Sequence, residues 1–428
     1  MEKFVIDGGR VLSGEITPDG NKNEALPALA ATLLASKPVI LENIPNIQDV
    51  RVMLQVIESM GAEVSHEGST VSIDPSKIPN TPKVLEAELS SKIRASILFA
   101  GPLLARFGSV KLPPPGGDVI GRRRLDTHLS GFQELGARFE VTQSYSLDAP
   151  AGLKGVEIFM DEASVTATEN LLMASALAHG TTRLLNAACE PHVQGLCHML
   201  NAMGAKISGI GTNALTIEGV EELGGCTHRI GPDYLEVGSF IGLAAMTGGE
   251  LFIRDVRESD MRMINRVFER IGIKTEFQGT TLVVPPRQNL VIKKDLHGAI
   301  PKIDDAPWPA FPTDLMSIAI TVATQASGTV LFFEKMFEGR MFFVDGLISM
   351  GASIILCDPH RVVVAGPCQL YGARLESPDV RAGMALLMAS LCARGKSTIY
   401  NVRQIDRGYS NIDEKLRSLG ASIERVPV

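Results

Sequence analysis

Several short stretches of this chain gather charged side chains at places where the backbone is neither mid-helix nor mid-strand. At 111–124 the sequence reads KLPPPGGDVIGRRR. The prolines and glycines exclude a helix interior or a central strand. What remains is a loop that carries one carboxylate, Asp118, beside Arg122, Arg123 and Arg124. Taken alone, PPPGGD is a tight turn and RRR is a solvated face. Other polar residues, however, stand at the starts of apolar helices: Lys22 and Asn23 in NKNEALP, Arg94 in RASILF, Ser164 in SVTATE, Thr313 and Asp314 in FPTDLM, and Arg381 in VRAGM. A helix N-terminus presents free N–H groups and the positive end of its dipole, both of which favour anions. Arginine adds a planar fork that grips carboxylate or phosphate at two points. The chemistry this collection suits is the holding of a polyanionic ligand.

The elements that carry these residues repeat. SMGAEV, ELGARF, AMGAKI, RIGIKT, SMGASI and SLGASI each end a helical pattern with a glycine, at Gly61, Gly136, Gly204, Gly272, Gly351 and Gly420. A glycine just past a periodic apolar helix is the usual left-handed terminator. Before each terminator helix comes a strand such as GTTRLLNA or SGTVLFFEK, and before that an Ala-rich helix such as TATENLLMASALA or RAGMALLMASLCA. After the glycine an alternating pair follows, as in AEVSHEGSTVSI. Each unit therefore reads helix, strand, loop, helix and two strands, at about 72 residues, longer than the common solenoid repeats. Helices apolar on nearly every side belong inside the fold. The loops IPNIQD, PPPGGDVIGRRR, AACEPH, VRESD, KMFEGR and VRQIDRG carry the charges, so equivalent ends of six modules can converge on one ligand.

Composition narrows the classes. The chain has 428 residues, 45% hydrophobic and 21% charged, with a formal net charge of −7. That is globular, with room for two or three domains, and offers no general basic field for nucleic acid. The start, MEKFVIDGG, enters a strand-like stretch with no signal-peptide core, and runs such as ASILFAGPLLA are too short to span a bilayer. Six cysteines show no tight framework and read as reduced thiols. A cytoplasmic protein acting on small molecules, without nucleic-acid binding or membrane insertion, is the expectation. GKS at 395–397 lacks the P-loop glycine, since position 390 is Ser390. Cys189, His192, Cys197 and His198 match no zinc-ligand spacing, so no metal is expected. Trp308, between Pro307 and Pro309, reads as a structural wedge.

NKNEALP, RASILFAGPLLARFG, GGDVIGRRRLDTHLSG, SVTATENLLMA, FPTDLM, FEGRM and IDRGY together resemble the enolpyruvyl transferases along essentially the whole chain. Asn23 after Lys22, where the shikimate-pathway branch has serine, favours the nucleotide-sugar branch. The resemblance implies an α/β (α+β) fold, a two-domain inside-out α/β barrel of six modules with its active site in the interdomain cleft. One domain would be 22–230 with a mobile loop at about 111–124, the other 1–21 plus 231–428. It implies transfer of the enolpyruvyl group of phosphoenolpyruvate to the 3′-hydroxyl of UDP-N-acetylglucosamine with release of phosphate, and requires no cofactor.

Carried over residue by residue, Lys22, Arg123 and Arg407 match the phosphate-binding positions. Arg340 and Arg381 match arginines near the enolpyruvyl carboxylate. Asp314 matches the carboxylate that contacts the sugar hydroxyl and is the general-base candidate. Asn23 matches a substrate-binding amide, Arg94 an arginine near the nucleotide and phosphate, and Asp49 an acid near the cleft. Asp126, His128, Ser164 and Val165 fit the nucleotide-sugar pattern. Asp118 stands where many members carry the cysteine that relays the C3 proton and is alkylated by fosfomycin, so insensitivity to that drug is expected. Arg124, Glu162, Thr166 and Tyr234 depart from the pattern, and Arg124 could compensate for the charge at Glu162 by serving the same diphosphate. A paralogue using another uridine nucleotide, or a catalytically dead nucleotide-sugar regulator, remain the alternatives.

Overall fold

The computed structural model describes residues 2–81, 83–117 and 120–428. The chain divides into two compact units, one of Gly20–Asp118 with Arg123–Gly231, the other of Met1–Asp19, Val119–Arg122 and Pro232–Val428. We call these the first and second unit. Each has its own apolar core. In the first unit that core surrounds helices α1 (Lys22–Ala31), α2 (Ala100–Phe107) and α3 (Val165–Ser175). In the second it surrounds α4 (Tyr234–Thr247), α5 (Met316–Ala323) and α6 (Val380–Cys392). Their compact side chains let helices approach closely, and several of their hydroxyls fold back onto their own carbonyls: Ser239 Oγ donates to Leu235 O at 2.9 Å, Thr321 Oγ1 to Ser317 O at 2.9 Å and Ser390 Oγ to Leu386 O at 2.8 Å. Such internal bonds remove the penalty of burying a hydroxyl.

The six terminator glycines all adopt left-handed backbone, with φ of 102, 98, 109, 97, 102 and 99° in chain order. The repeat expected from the sequence is present, with one addition. Each module is a four-stranded sheet, and in four of them a strand of two or three residues just ahead of the buried helix pairs parallel with the strand after it. Glu157–Phe159, for example, lies beside Thr181–Leu185, which runs antiparallel to Ala214–Glu218, itself paired with Lys206–Ser208. Strands so short carry no readable alternation, which is why sequence periodicity misses them.

Three modules borrow a strand from far along the chain. Glu2–Asp7 is inserted between Lys396–Tyr400 and Ser422–Pro427. Gly14–Ile16 lies beside Leu251–Ile253, and Thr227–Arg229 beside Val39–Glu42. Each unit is thereby closed on itself, and, the segment ending at Arg122 apart, the chain passes between them at 19–20 and 231–232. The two passages are tied down alike. In the first unit Asn21 N donates to Gly231 O (2.7 Å), while Glu24 accepts from Gly231 N (3.1 Å) and pairs with His228 (2.9 Å). In the second, Asp233 N donates to Asp19 O (2.9 Å), while Glu236 accepts from Asp19 N (2.8 Å) and pairs with Lys415 (2.6 Å). Glu24 and Glu236 are both the third residue of a buried helix, so the starts of α1, which carries Lys22 and Asn23, and of α4 are fixed alike. Among the described residues no helix is long and apolar enough to cross a membrane.

Candidate active site

In the second unit three sequence candidates meet. Asp314 lies in the single turn Thr313–Leu315 that leads into α5. Arg340 Nη2 donates to its Oδ1 at 2.5 Å and Arg381 Nε to its Oδ2 at 3.2 Å. Burial disfavours the charge on Asp314, but Arg340 and then Arg381 outweigh burial and hold its carboxyl well below the usual carboxylate range. Arg381 sits at the start of α6, whose cap Asp379 accepts from the Arg381 and Ala382 amides at 2.8 and 3.0 Å. Its guanidinium carbon lies 5.4 Å from the centre of the Tyr409 ring, whose hydroxyl pairs with Ser239 Oγ at 2.9 Å. Arg340 Nε and Arg381 Nη1 are buried and meet no acceptor among the described residues. A buried orphan donor costs about 1–3 kcal/mol, and both of these belong to arginines that share Asp314. A cavity of about 10 Å³, room for about one water, is lined by Ser317, Arg340 and Asp379 among others. Arg407, in the same unit, closes a turn of 3₁₀ helix and donates to Gln404 Oε1 at 3.1 Å.

The first unit holds the other candidates. Lys22 Nζ lies 2.8 Å from Asp49 Oδ2, with side-chain exposures of only 12% and 4%. Arg94 Nη2 donates to Arg123 O at 2.6 Å, so one guanidinium clamps the loop backbone carrying the next. Burial, and Arg123 beside it, bring Arg94 down to about 10. The Gly-Gly pair is required here. A Cβ on Gly116 would lie 1.9 Å from Ser91 O, and Gly117 has φ of 104° with Arg94 Cβ 2.8 Å from where its own would be. Asp118 lies outside the described residues. Arg122 is exposed, and its amide donates to Glu338 Oε2 at 3.2 Å within the second unit.

His128 is buried in a fixed network. Asn170 Oδ1 accepts from Gly101 N at 2.8 Å, which orients the amide. Its Nδ2 then donates to Ile97 O (2.9 Å) and to His128 Nδ1 (3.0 Å). An Nδ1 that accepts must be unprotonated, so the ring proton is on Nε2 and is donated to Thr166 Oγ1 at 3.1 Å. Burial, with Arg94 adding to it, lowers the imidazole to about 3, in keeping with a neutral ring. Thr166 therefore keeps its own hydroxyl proton for another acceptor, beside the N-terminus of α3. There the side chain of Ser164 accepts from Ala167 N (3.4 Å), and Val165 is the first helical residue.

Arg124 is exposed and bound to Asp126 Oδ2 at 2.7 Å, with Glu162 and Asp161 adding to the negative field around it. Glu162 accepts from Thr127 Oγ1 at 3.3 Å. Tyr234 is placed elsewhere in the chain's division into units. It belongs to the second unit, buried at the start of α4 with its ring 5.8 Å from that of Trp308, whereas Glu162 and Thr166 belong to the first. Sequence reasoning named Thr313 but missed Asn170, Asp305 and Glu334. The one available signal for Asn170 was an amide inside an otherwise apolar helix.

Basic side chains at three helix starts, Lys22, Arg94 and Arg381, and an arginine-clamped aspartate suit the holding of anionic groups, and comparison gives the family. The family model for EPSP synthase (3-phosphoshikimate 1-carboxyvinyltransferase) matches residues 6–416. A UDP-N-acetylglucosamine 1-carboxyvinyltransferase from Treponema denticola is 59% identical over 99% of both chains. Those of Borreliella burgdorferi and Bradyrhizobium diazoefficiens are each 54% identical, covering 100% and 99% of this chain and 99% and 98% of their own. Among solved structures, the enolpyruvyl transferase NikO from Streptomyces tendae superposes with a TM-score of 0.87 at 24% identity, covering 100% of this chain and 99% of its own. EPSP synthase from Acinetobacter baumannii superposes at 0.77 and 19%, covering 100% of both. Likeness at that identity speaks for the two-domain inside-out α/β fold. The chain belongs to the enolpyruvyl transferases, and among them to the family of UDP-N-acetylglucosamine 1-carboxyvinyltransferases.

Proposed function

We propose that this enzyme transfers the enolpyruvyl group of phosphoenolpyruvate to the 3′-hydroxyl of UDP-N-acetylglucosamine and releases phosphate, the first committed step of peptidoglycan precursor synthesis in the cytoplasm. The sugar oxygen bonds to C2 as its proton passes to a base and C3 gains a proton; the C2–O bond to phosphate then breaks as C3 gives a proton back, and the proton lost by the hydroxyl balances the phosphate released. The observation that carries the reading is the Asp314–Arg340–Arg381 cluster, in a chain 59% identical to a relative of that name. With both arginines on it, Asp314 is too weak a base to accept a hydroxyl proton. A substrate carboxylate that draws Arg340 and Arg381 to itself, through donors such as Arg340 Nε, returns basicity to Asp314. Substrate arrival and base activation thus become one event.

Lys22, Arg123 and Arg407 serve the phosphate in this reading, and Asn23 the sugar. Arg94 holds Arg123 in place, while Asp126, His128, Ser164, Val165 and Arg124 serve the nucleotide. Asp118 takes the part of the usual cysteine, moving the proton at C3 as a carboxylic acid. No thiol then stands where fosfomycin would alkylate one, and the enzyme is expected to be insensitive to it.

The test is phosphate release by the purified protein with both substrates, the product identified by mass, alongside Asp118→Asn and Asp118→Cys. Turnover that Asn abolishes and Cys preserves with new fosfomycin sensitivity supports the whole reading. A covalent fosfomycin adduct on the unmodified protein would refute the insensitivity. Tight nucleotide-sugar binding without turnover would favour a different acceptor or a regulator.

A further inference from the structure

Beside the Asp314–Arg340 pair lie two carboxyls to which the transfer assigns no part. Asp305 and Glu334 are both fully buried, with no exposed surface. They sit side by side because each follows the end of one of two parallel strands, Lys302–Asp304 and Gly328–Phe333, paired with Asp304 opposite Phe333. Their hydrogen bonds restrict where a proton can be. Glu334 Oε1 accepts from Met336 N and Phe337 N, both at 3.1 Å, and lies 3.0 Å from Thr313 Oγ1. Glu334 Oε2 lies 2.9 Å from the same hydroxyl, which has one proton to give. Asp305 Oδ1 accepts from Lys335 N at 2.6 Å. Asp305 Oδ2 is buried and finds no donor among the described residues while both carboxyls are ionised, yet Glu334 is its immediate side-chain neighbour. One proton on Glu334 Oε2, donated to Asp305 Oδ2, satisfies the orphan and removes one of two adjacent buried charges.

We propose that Asp305 and Glu334 share a single proton, and that the protonated pair holds Thr313 and the turn through Arg340 so that Arg340 meets Asp314. The two are positioning residues, since Thr313 precedes Asp314 and the amides Glu334 receives begin the turn that ends at Arg340. The charged groups facing the pair are few. Arg340 lies near Glu334, Lys335 pairs with Asp304, and His360 Nδ1 donates to the Glu334 carbonyl at 2.7 Å while its own carbonyl accepts from Glu334 N at 2.8 Å. Burial, then the Asp305 carboxyl, pushes Glu334 up to about 8. Losing the proton above that pH gives Arg340 a second anion to face, in competition with Asp314.

Two measurements test this, and only one rests on the proposed reaction. Infrared difference spectra at pH 7, wild type minus Glu334→Gln, should show the C=O band of a protonated carboxylic acid, downshifted in D2O. Asp305→Asn, whose amide can donate to an ionised Glu334, should show the same loss and serves if the first variant folds poorly. In the pH profile of kcat/KM, Glu334→Gln should keep turnover near the wild-type level at pH 7 and lose the decline through about pH 8. Glu334→Ala, which frees the turn, should lose turnover by about 10²-fold. A flat infrared difference, or an alkaline decline unchanged in Glu334→Gln, overturns the proposal. If the wild type releases no phosphate at all, it is the proposed reaction that fails, and the infrared result still decides the shared proton.

Discussion

The Asp314 and His128 clusters are both buried, and they manage charge in opposite ways. Around Asp314 the charges are kept and paired: one carboxylate between two guanidiniums, with donors left over. Around His128 the charge is removed, and a neutral imidazole is fixed by the Asn170 amide on one nitrogen and Thr166 on the other. A paired charge can change partners when a competing anion arrives, so the first arrangement can respond to a ligand. A hydrogen-bonded neutral ring has nothing to exchange, so the second can only present a group in a fixed direction. One suits the reacting end of a substrate and the other its recognition.

Removing the pivot of the responsive cluster should have the largest effect. Asp314→Asn is expected to lower kcat by about 10²–10⁴, the usual worth of a positioned general base, in the phosphate-release assay. Asp314→Ala should also cost about 3–5 kcal/mol in urea unfolding, since two buried guanidiniums lose their counter-charge. An Asn variant with near wild-type kcat would end the base assignment. A stable Ala variant would show that the arginines already have another partner.

The fixed cluster should fail through stability instead. Asn170→Leu strands the Gly101 amide, the Ile97 carbonyl and His128 Nδ1 at once. Roughly 2–5 kcal/mol of unfolding free energy should be lost, while kcat of the folded fraction stays near normal. A large kcat loss at unchanged stability would move Asn170 into the reacting site and erase the contrast.

The neutral ring also predicts a pH dependence. Folded His128 titrates at about 3, and the unfolded side chain at about 6.5. Below pH 6.5 the unfolded chain binds a proton that the folded one refuses, so stability falls as pH drops from there towards 3. The slope approaches about 1.4 kcal/mol per pH unit. Replacing the ring by His128→Gln should remove that slope, measured as wild type minus variant so that Glu236, raised to about 7 mainly by burial, cancels. Equal slopes would mean the ring is charged in the folded protein.

Much of this was legible because it repeats. Six glycines at similar spacing gave the modules, and Asp314, Arg340 and Arg381 could be named because they stand in FPTDLM, FEGRM and VRAGM, at buried-helix starts or in a charge-bearing loop. What was not legible depends on partners far apart in sequence. Asn170 reaches Gly101 and Ile97, and Glu334 reaches Thr313; nothing local distinguishes those residues from polar residues on any buried helix or turn. Nor do three-residue strands such as Thr227–Arg229 declare that they complete a sheet begun near residue 39. The pairing of Arg124 with Asp126 was equally hidden, since both fitted a nucleotide role as isolated charges.

That pair supports the smallest prediction and the one that most sharpens the comparison. Arg124 and Asp126 are more than half exposed, with side-chain exposures of 55% and 58%, so water and salt screen them. Arg124→Ala should leave the unfolding midpoint unchanged and raise KM for the nucleotide sugar severalfold at low salt, with the difference shrinking as salt is added. If Arg124 supplies the positive charge absent at position 162, then Glu162→Lys in the Arg124→Ala background should restore KM, because the cation would return to the same neighbourhood from the other side. A double variant no better than Arg124→Ala would mean that Arg124 is only a partner for Asp126. Recognition of the diphosphate would then fall to the fixed end of α3, where Thr166 holds out the one proton that His128 leaves it.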